Sequence, residues 1–135
     1  MVVDASVMIA WLLNEPHLSL DDDIYGLLAE QTVNVPAHWP VEVCNALAVN
    51  VRRGRIRRDE IGDILEQLAH LDVVIAPPAS LDGIGELTRF AITQELTVYD
   101  AAYVLLARDV GDTLATVDND MRAVAQRFNI PLLPA

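Results

Sequence analysis

No lysine occurs in the 135 residues; all nine basic side chains are arginine. A phosphate-cradling loop of the Gly-Lys type is therefore excluded. A single cysteine, Cys44, leaves no partner for an internal disulfide, and its place in an apolar helical pattern predicts a buried thiol. No apolar run reaches the ~18 residues that would span a bilayer, and no basic segment precedes an apolar one near Met1 as in a signal peptide. These absences predict a cytoplasmic protein with no membrane association. Positive balance is missing too: the formal charge is -11, which excludes nucleic-acid binding through overall basicity. Repeats, linkers and low-complexity segments are also absent, so residues 1–135 read as one domain.

Apolar residues, by contrast, are plentiful. They make up 53% of the chain, with a mean hydropathy of +0.29. That is enough for a sizeable core, with an excess that fits a partner surface or a homodimer. The apolar runs alternate in length. Short ones at Met1–Val3, Thr32–Val35, Asp72–Ala76, Thr113–Val117 and Pro131–Leu133 read as strands. Between them the spacing predicts helices over Ala5–Leu13, Leu18–Glu30, Pro40–Arg53, Arg58–Leu71 and Leu81–Glu95, then from Leu96 to near Gly111 and over Asp120–Phe128. Asp21, Asp22 and Asp23 suit a helix start, Pro40 a first helical position and Gly54 a C-cap. Cys44, Leu47, Ala48 and Val51 form the predicted packing face of the third helix, with Glu42, Asn45 and Val49 opposite. Ile61, Ile64, Leu65, Leu68 and Leu71 form the stripe of the fourth. Alternation of this kind implies an α/β fold, a central parallel sheet with helices on both faces.

The stretch Tyr99-Asp100-Ala101-Ala102-Tyr103-Val104-Leu105-Leu106-Ala107 is apolar all round after its acid, as a buried helix is. Asp4 and Asp118 each directly follow an apolar run ending at the carboxyl edge of the sheet, and Asp100 and Glu42 stand in first helical turns. In open α/β sheets that edge is where ligands bind. Four acids from distant parts of the chain can meet there. Clustered carboxylates repel and raise one another's pKa, a penalty that hard cations such as Mg²⁺ or Mn²⁺ remove. A cation so held can activate water and steady a leaving oxygen. Each acid alone has a plainer reading: Asp4 and Asp118 as N-caps, Thr97-x-x-Asp100 as a capping box, Glu42 as a solvated acid.

In sequence order, Val2-Val3-Asp4-Ala5-Ser6, Pro40-Val41-Glu42-Val43-Cys44-Asn45-Ala46-Leu47, Leu96-Thr97-Val98-Tyr99-Asp100-Ala101-Ala102-Tyr103 and Ala115-Thr116-Val117-Asp118 resemble the motifs of PIN domains. The likeness spans essentially the whole chain and is closest to VapC-type toxins of bacterial toxin-antitoxin pairs. It implies a single PIN-like domain with Mg²⁺- or Mn²⁺-dependent endoribonuclease activity at Asp4, Glu42, Asp100 and Asp118. Ser6, Asn45 and Thr116 would be polar support. Asp120 is left as an N-cap or a supporting acid that could share the role of Asp118. The resemblance also implies an RNA substrate and a cognate antitoxin, which would lay an apolar helix into a groove and set a charge near the acids. The rival reading is a non-catalytic module that keeps the fold as a docking platform. Response-regulator receivers and haloacid-dehalogenase-type phosphatases also place acids at strand ends, but both imply a lysine. The phosphatases further require Asp-x-Asp where this chain has Asp4-Ala5-Ser6.

Five arginines crowd together at Arg52, Arg53, Arg55, Arg57 and Arg58. They are candidates for holding RNA phosphates, an acidic antitoxin segment, or nothing but water. Trp11, Trp39 and Tyr99 are candidates for base stacking, with core or interface the more usual place for such rings. His17, His38 and His70 have no metal-ligand spacing and read as structural or surface residues.

Overall fold

Five short apolar runs become five strands of one parallel sheet in the computed structural model, which describes residues 1–15 and 22–135. In chain order these are β1 (Val2–Val3), β2 (Val33–Val35), β3 (Val73–Ile75), β4 (Leu114–Ala115) and β5 (Leu132–Leu133), arranged β3-β2-β1-β4-β5. Every pairing is parallel, with Val2 opposite both Asn34 and Leu114. The chain steps outward from β1 to β3, then returns to build β4 and β5 on the other side. The switch in direction falls between β1 and β4, the point at which open α/β sheets form their ligand crevice beyond the carboxyl ends of the strands.

Among the described residues seven α-helices cover the sheet: α1 (Ala5–Leu12), α2 (Asp22–Glu30), α3 (Trp39–Arg52), α4 (Ile61–Ala69), α5 (Leu81–Gln94), α6 (Val98–Val110) and α7 (Asn119–Arg127). A 3₁₀ turn over Arg58–Glu60 precedes α4. The first turn of the predicted second helix, residues 18–21, and His17 before it lie outside the described residues. No helix among those described is long and apolar enough to cross a membrane.

The all-apolar helix behaves as its sequence dictates. Along α6, Ala101, Tyr103, Val104, Leu105 and Ala107 are buried, and Ala102 and Leu106 are partly so. It packs on α5 and α7 and on β1, β2 and β4 together. Each large side chain hidden there contributes about 1.5–3 kcal/mol. Thr97 caps its start by accepting from the Asp100 N–H at 3.1 Å, and Gly111 closes its end at φ +65°, a left-handed turn that favours glycine.

Three expectations are corrected. Cys44 is exposed, not buried, and so is Ala48. The buried face of α3 is Trp39, Val43, Leu47 and Asn50, because the helix begins one residue early and its bulkiest side chain, Trp39, sets the phase. On α4, Leu65 is exposed while Ile64 is buried, so the packing stripe is narrower than five apolar residues suggested. The sheet is covered on both faces at its centre, where Val2, Val3, Val33, Val35, Leu114 and Ala115 have no exposed surface. At the β3 edge, Val74 and Ile75 remain about half exposed.

Candidate active site

β1 delivers Asp4 and β4 delivers Thr116 to the crevice at the switch point. They are neighbours because the Asp4 N–H donates to the Ala115 carbonyl at 3.0 Å, extending the β1–β4 pairing by one step. Asp4 is only 6% exposed. Its Oδ1 accepts the Ser6 N–H at 3.2 Å and so caps α1. Its Oδ2 accepts two hydroxyls, Ser6 Oγ at 2.8 Å and Thr116 Oγ1 at 2.9 Å. Thr116, fully buried, in turn accepts the Asp118 N–H on the same Oγ1 at 3.1 Å. Asp118 Oδ1 accepts from the Met121 N–H at 2.8 Å and caps α7. Capping is therefore a true reading of both aspartates and an incomplete one: it occupies one oxygen of each.

α3 supplies Glu42 in its first turn, half-buried and facing α6. The Tyr103 hydroxyl donates to Glu42 Oε1 at 3.1 Å across 61 residues of sequence. His38, one turn earlier, sets Nε2 2.7 Å from the same oxygen but off the axis of a proper hydrogen bond. The His38 ring meets Tyr99 and Tyr103 edge-on at 5.4 and 5.3 Å. Tyr99 is 60% exposed at the mouth, whereas Trp39 is core and Trp11 is partly buried. His70 is a surface residue, its Nδ1 2.8 Å from the Glu66 carbonyl oxygen. His38 is the residue that sequence reasoning missed. Its i,i+4 spacing to Glu42 on a helix was the available signal. Nothing in the sequence pointed to Tyr103 as a partner of Glu42.

Electrostatics tie the acids together. Burial pushes the Asp4 carboxyl above its ordinary value, against the bonds from Ser6 and Thr116, and the Glu42 charge pushes the same way. Burial also raises Asp100, helped by the charges of Asp118, Asp4 and Glu42 and opposed by the Thr97 hydroxyl. Tyr103 is held firmly protonated by burial and by Glu42 and Asp4. Asp100 thus feels the other three acids as neighbours. Among the described residues no arginine bonds any of them. Asn45 and Asp120 are exposed, and neither bonds to the four.

The donor set fits a hard divalent cation: oxygen ligands and surplus negative charge. Among the described residues no three His, Cys, Asp or Glu side chains are drawn into a finished cage. Mg²⁺ asks for less, since it keeps several waters and is commonly held by one or two carboxylates.

The arginine cluster lies elsewhere. Glu42 is in the first turn of α3 and Arg52 in its last; ten residues of helix put about 15 Å between them along the axis. Arg52, Arg53 and Arg55 are exposed, and Arg57 is engaged with Asp59 at 3.0 Å and Glu60 at 3.3 Å.

The same chain has recognisable relatives. A family model described as the PIN domain matches residues 1–127. A protein named ribonuclease VapC3 from Pyrobaculum aerophilum is 31% identical over 135 residues, covering 99% of this chain and 98% of that one. Another of that name from Mycobacterium tuberculosis is 30% identical over 119 residues, covering 87% and 81%. The crystal structure of PAE2754 from Pyrobaculum aerophilum superposes with a TM-score of 0.65 over 95% of this chain and 93% of that one. At 23% identity it speaks for the fold.

Proposed function

The chain belongs to the PIN-domain family, and from that premise we propose that it is a metal-dependent endoribonuclease, the toxin of a VapC-type toxin-antitoxin pair acting in the cytoplasm. The observation that carries the proposal is the surplus of carboxylates at the switch point. Asp100 senses Asp4, Glu42 and Asp118 as like charges, and the nearby Arg122 guanidinium donates to the Thr116 carbonyl at 2.9 Å rather than to a carboxylate.

In this reading Asp4, Glu42, Asp100 and Asp118 hold Mg²⁺ or Mn²⁺. When bound, the cation supplies charge neutralisation, activation of water and stabilisation of the leaving oxygen in phosphodiester hydrolysis. The chain's own contribution is orientation. Ser6 and Thr116 fix the Asp4 carboxylate with three donated hydrogen bonds, counting the Ser6 N–H. Thr116 also ties Asp118 to Asp4 through one hydroxyl. Tyr103, unable to ionise near neutrality, serves Glu42 as a permanent donor. Tyr99 stands exposed where a base can stack. Arg52, Arg53, Arg55, Arg57 and Arg58 would grip RNA phosphates away from the cleaved bond, about 15 Å along α3 from Glu42. Asn45 and Asp120 would be outer support. A cognate antitoxin would restrain the enzyme. A homodimer would cover Leu81, Ile84 and Ile92 of α5, which are exposed at 89%, 52% and 72%.

The test is RNA cleavage with Mg²⁺ or Mn²⁺ by the wild type, by Asp100→Asn and with chelator present. Cleavage confined to the metal-loaded wild type is expected. A folded Asp100→Asn protein that still cuts RNA at the wild-type rate would remove the enzyme reading. Tight partner binding without any cleavage would install the docking platform in its place.

A further inference from the structure

Beside the acids, residues of α5 and α6 line a cavity of about 240 Å³. Its wall includes the loops leaving β2 and β3, so it too opens at the carboxyl edge of the sheet. We propose that it is a base-recognition pocket, receiving one nucleobase of the RNA and favouring bases that carry an exocyclic amine over uracil. Its biological meaning rests on the ribonuclease reading, while its chemistry can be tested without RNA.

Position comes first. His38 lines the cavity and also touches Glu42 at 2.7 Å, so a single imidazole separates the pocket from the acids. A nucleotide whose phosphate reaches the crevice has its base within reach of this opening. Size is the second argument. The volume is below the ~300 Å³ at which pockets for drug-sized ligands begin, which suits one heterocycle. Shape follows from sequence: Ala102, Leu105, Leu106 and Asp109 recur at i, i+3, i+4 and i+7, so one stripe of α6 faces the cavity. Ala102 leaves the room, the leucines offer apolar faces, and Pro36 and Pro77 close the other side.

The polar groups decide which base. Arg108 Nη2 donates to Glu86 Oε1 at 3.0 Å and to Asp109 Oδ1 at 2.9 Å, bracing two lining carboxylates. The brace uses one oxygen of each and offsets one of the two charges. The remaining oxygens can only accept. Adenine, cytosine and guanine each present an amine to such acceptors, whereas uracil turns carbonyl oxygens toward them on either side of its one N–H.

The experiment titrates neutral adenosine, cytidine, guanosine and uridine into the ¹⁵N-labelled protein without divalent cation and follows amide shifts. The three amine-bearing nucleosides should move the Ala37, His38, Ala102 and Leu105 amides, with uridine weaker by roughly tenfold. Ala102→Leu should abolish the response to all four. Glu86→Gln with Asp109→Asn, both on exposed side chains, should keep binding and erase the preference, because an amide can also donate. If Ala102→Leu does not fold, the double variant decides alone. The proposal is overturned if no nucleoside moves those amides, if uridine binds as tightly as the others, or if the double variant keeps the preference. Failure of the wild type to cut RNA would remove the ribonuclease reading and leave nucleoside binding standing.

Discussion

Asp4 and Asp112 are the same side chain at opposite edges of one sheet, and their surroundings treat them in opposite ways. Asp112, just before β4, meets the Met1 ammonium at 2.9 Å and accepts the Thr113 N–H at 2.7 Å. The ammonium, carried by a Met1 whose side chain is only 1% exposed, also donates to the Thr32 carbonyl. These bonds hold the Asp112 carboxyl below its ordinary value. Asp4, beyond the other end of β1, accepts neutral hydroxyls and faces Glu42, and its carboxyl is held above. One edge supplies a cation for its carboxylate. The other gathers carboxylates, and under the proposed reading a cation from solution would complete it. Ordinary architecture accounts for the first edge; the second costs stability and makes sense as a site.

The sharpest way to break this contrast is to neutralise each aspartate in turn. Asp4→Asn should lower RNA cleavage by about a thousandfold, the equivalent of about 4 kcal/mol of lost transition-state stabilisation. Asp112→Asn should leave the rate within about twofold of wild type. Equal losses in single-turnover assays would mean that both edges serve only folding.

Stability should show the reverse. Asp112→Asn is expected to destabilise the protein at pH 7 by about 1 kcal/mol or less, since the carboxylate is 41% exposed and screened by water. Its folded pKa is depressed, so the contribution is complete above the ordinary value of 3.8 and disappears as pH falls through the folded one. Denaturation midpoints of variant and wild type should therefore converge in acid.

The smallest effect sharpens the comparison from the other side. The Asp100 pKa is raised, so ionisation disfavours the folded state. Without metal, the wild type should lose stability as pH rises from 3.8 through the folded value, with the whole penalty present above it. Asp100→Asn should reduce that slope to the part that Asp4 contributes, and raise the metal-free Tm at pH 7 by less than Asp112→Asn lowers it. Calorimetry across pH 4–7 reads the difference, and a lowered Tm would contradict the like-charge account.

Much of this was legible in the chain itself. The strands announce themselves as apolar runs, and Asp4 and Asp118 stand where those runs end, so parallel topology alone brings them to one edge. The all-round apolar pattern after Asp100 sufficed to bury α6. What stayed hidden was set by tertiary packing. Cys44 looked buried because periodicity gives a face but not its phase, and Trp39, outside the expected helix, fixed the phase differently. The bond from Tyr103 to Glu42 depends on how α6 crosses α3, which no local pattern encodes. His38 could have been found by its i,i+4 spacing to Glu42 had proximity to an acid been weighed alongside metal-ligand spacing. The arginines could have been placed by helix length alone, since ten residues of α3 separate Arg52 from Glu42.

Calorimetric titration of Mn²⁺ into the metal-free protein tests the unneutralised edge most directly. Saturable binding at pH 7 is expected, weakening on acidification sooner than for ordinary carboxylates because Asp4 and Asp100 hold their protons more tightly. Asp4→Asn should abolish it, and Asp112→Asn should leave it intact. Absence of binding to the wild type, or undiminished binding by a folded Asp4→Asn protein, would contradict the account.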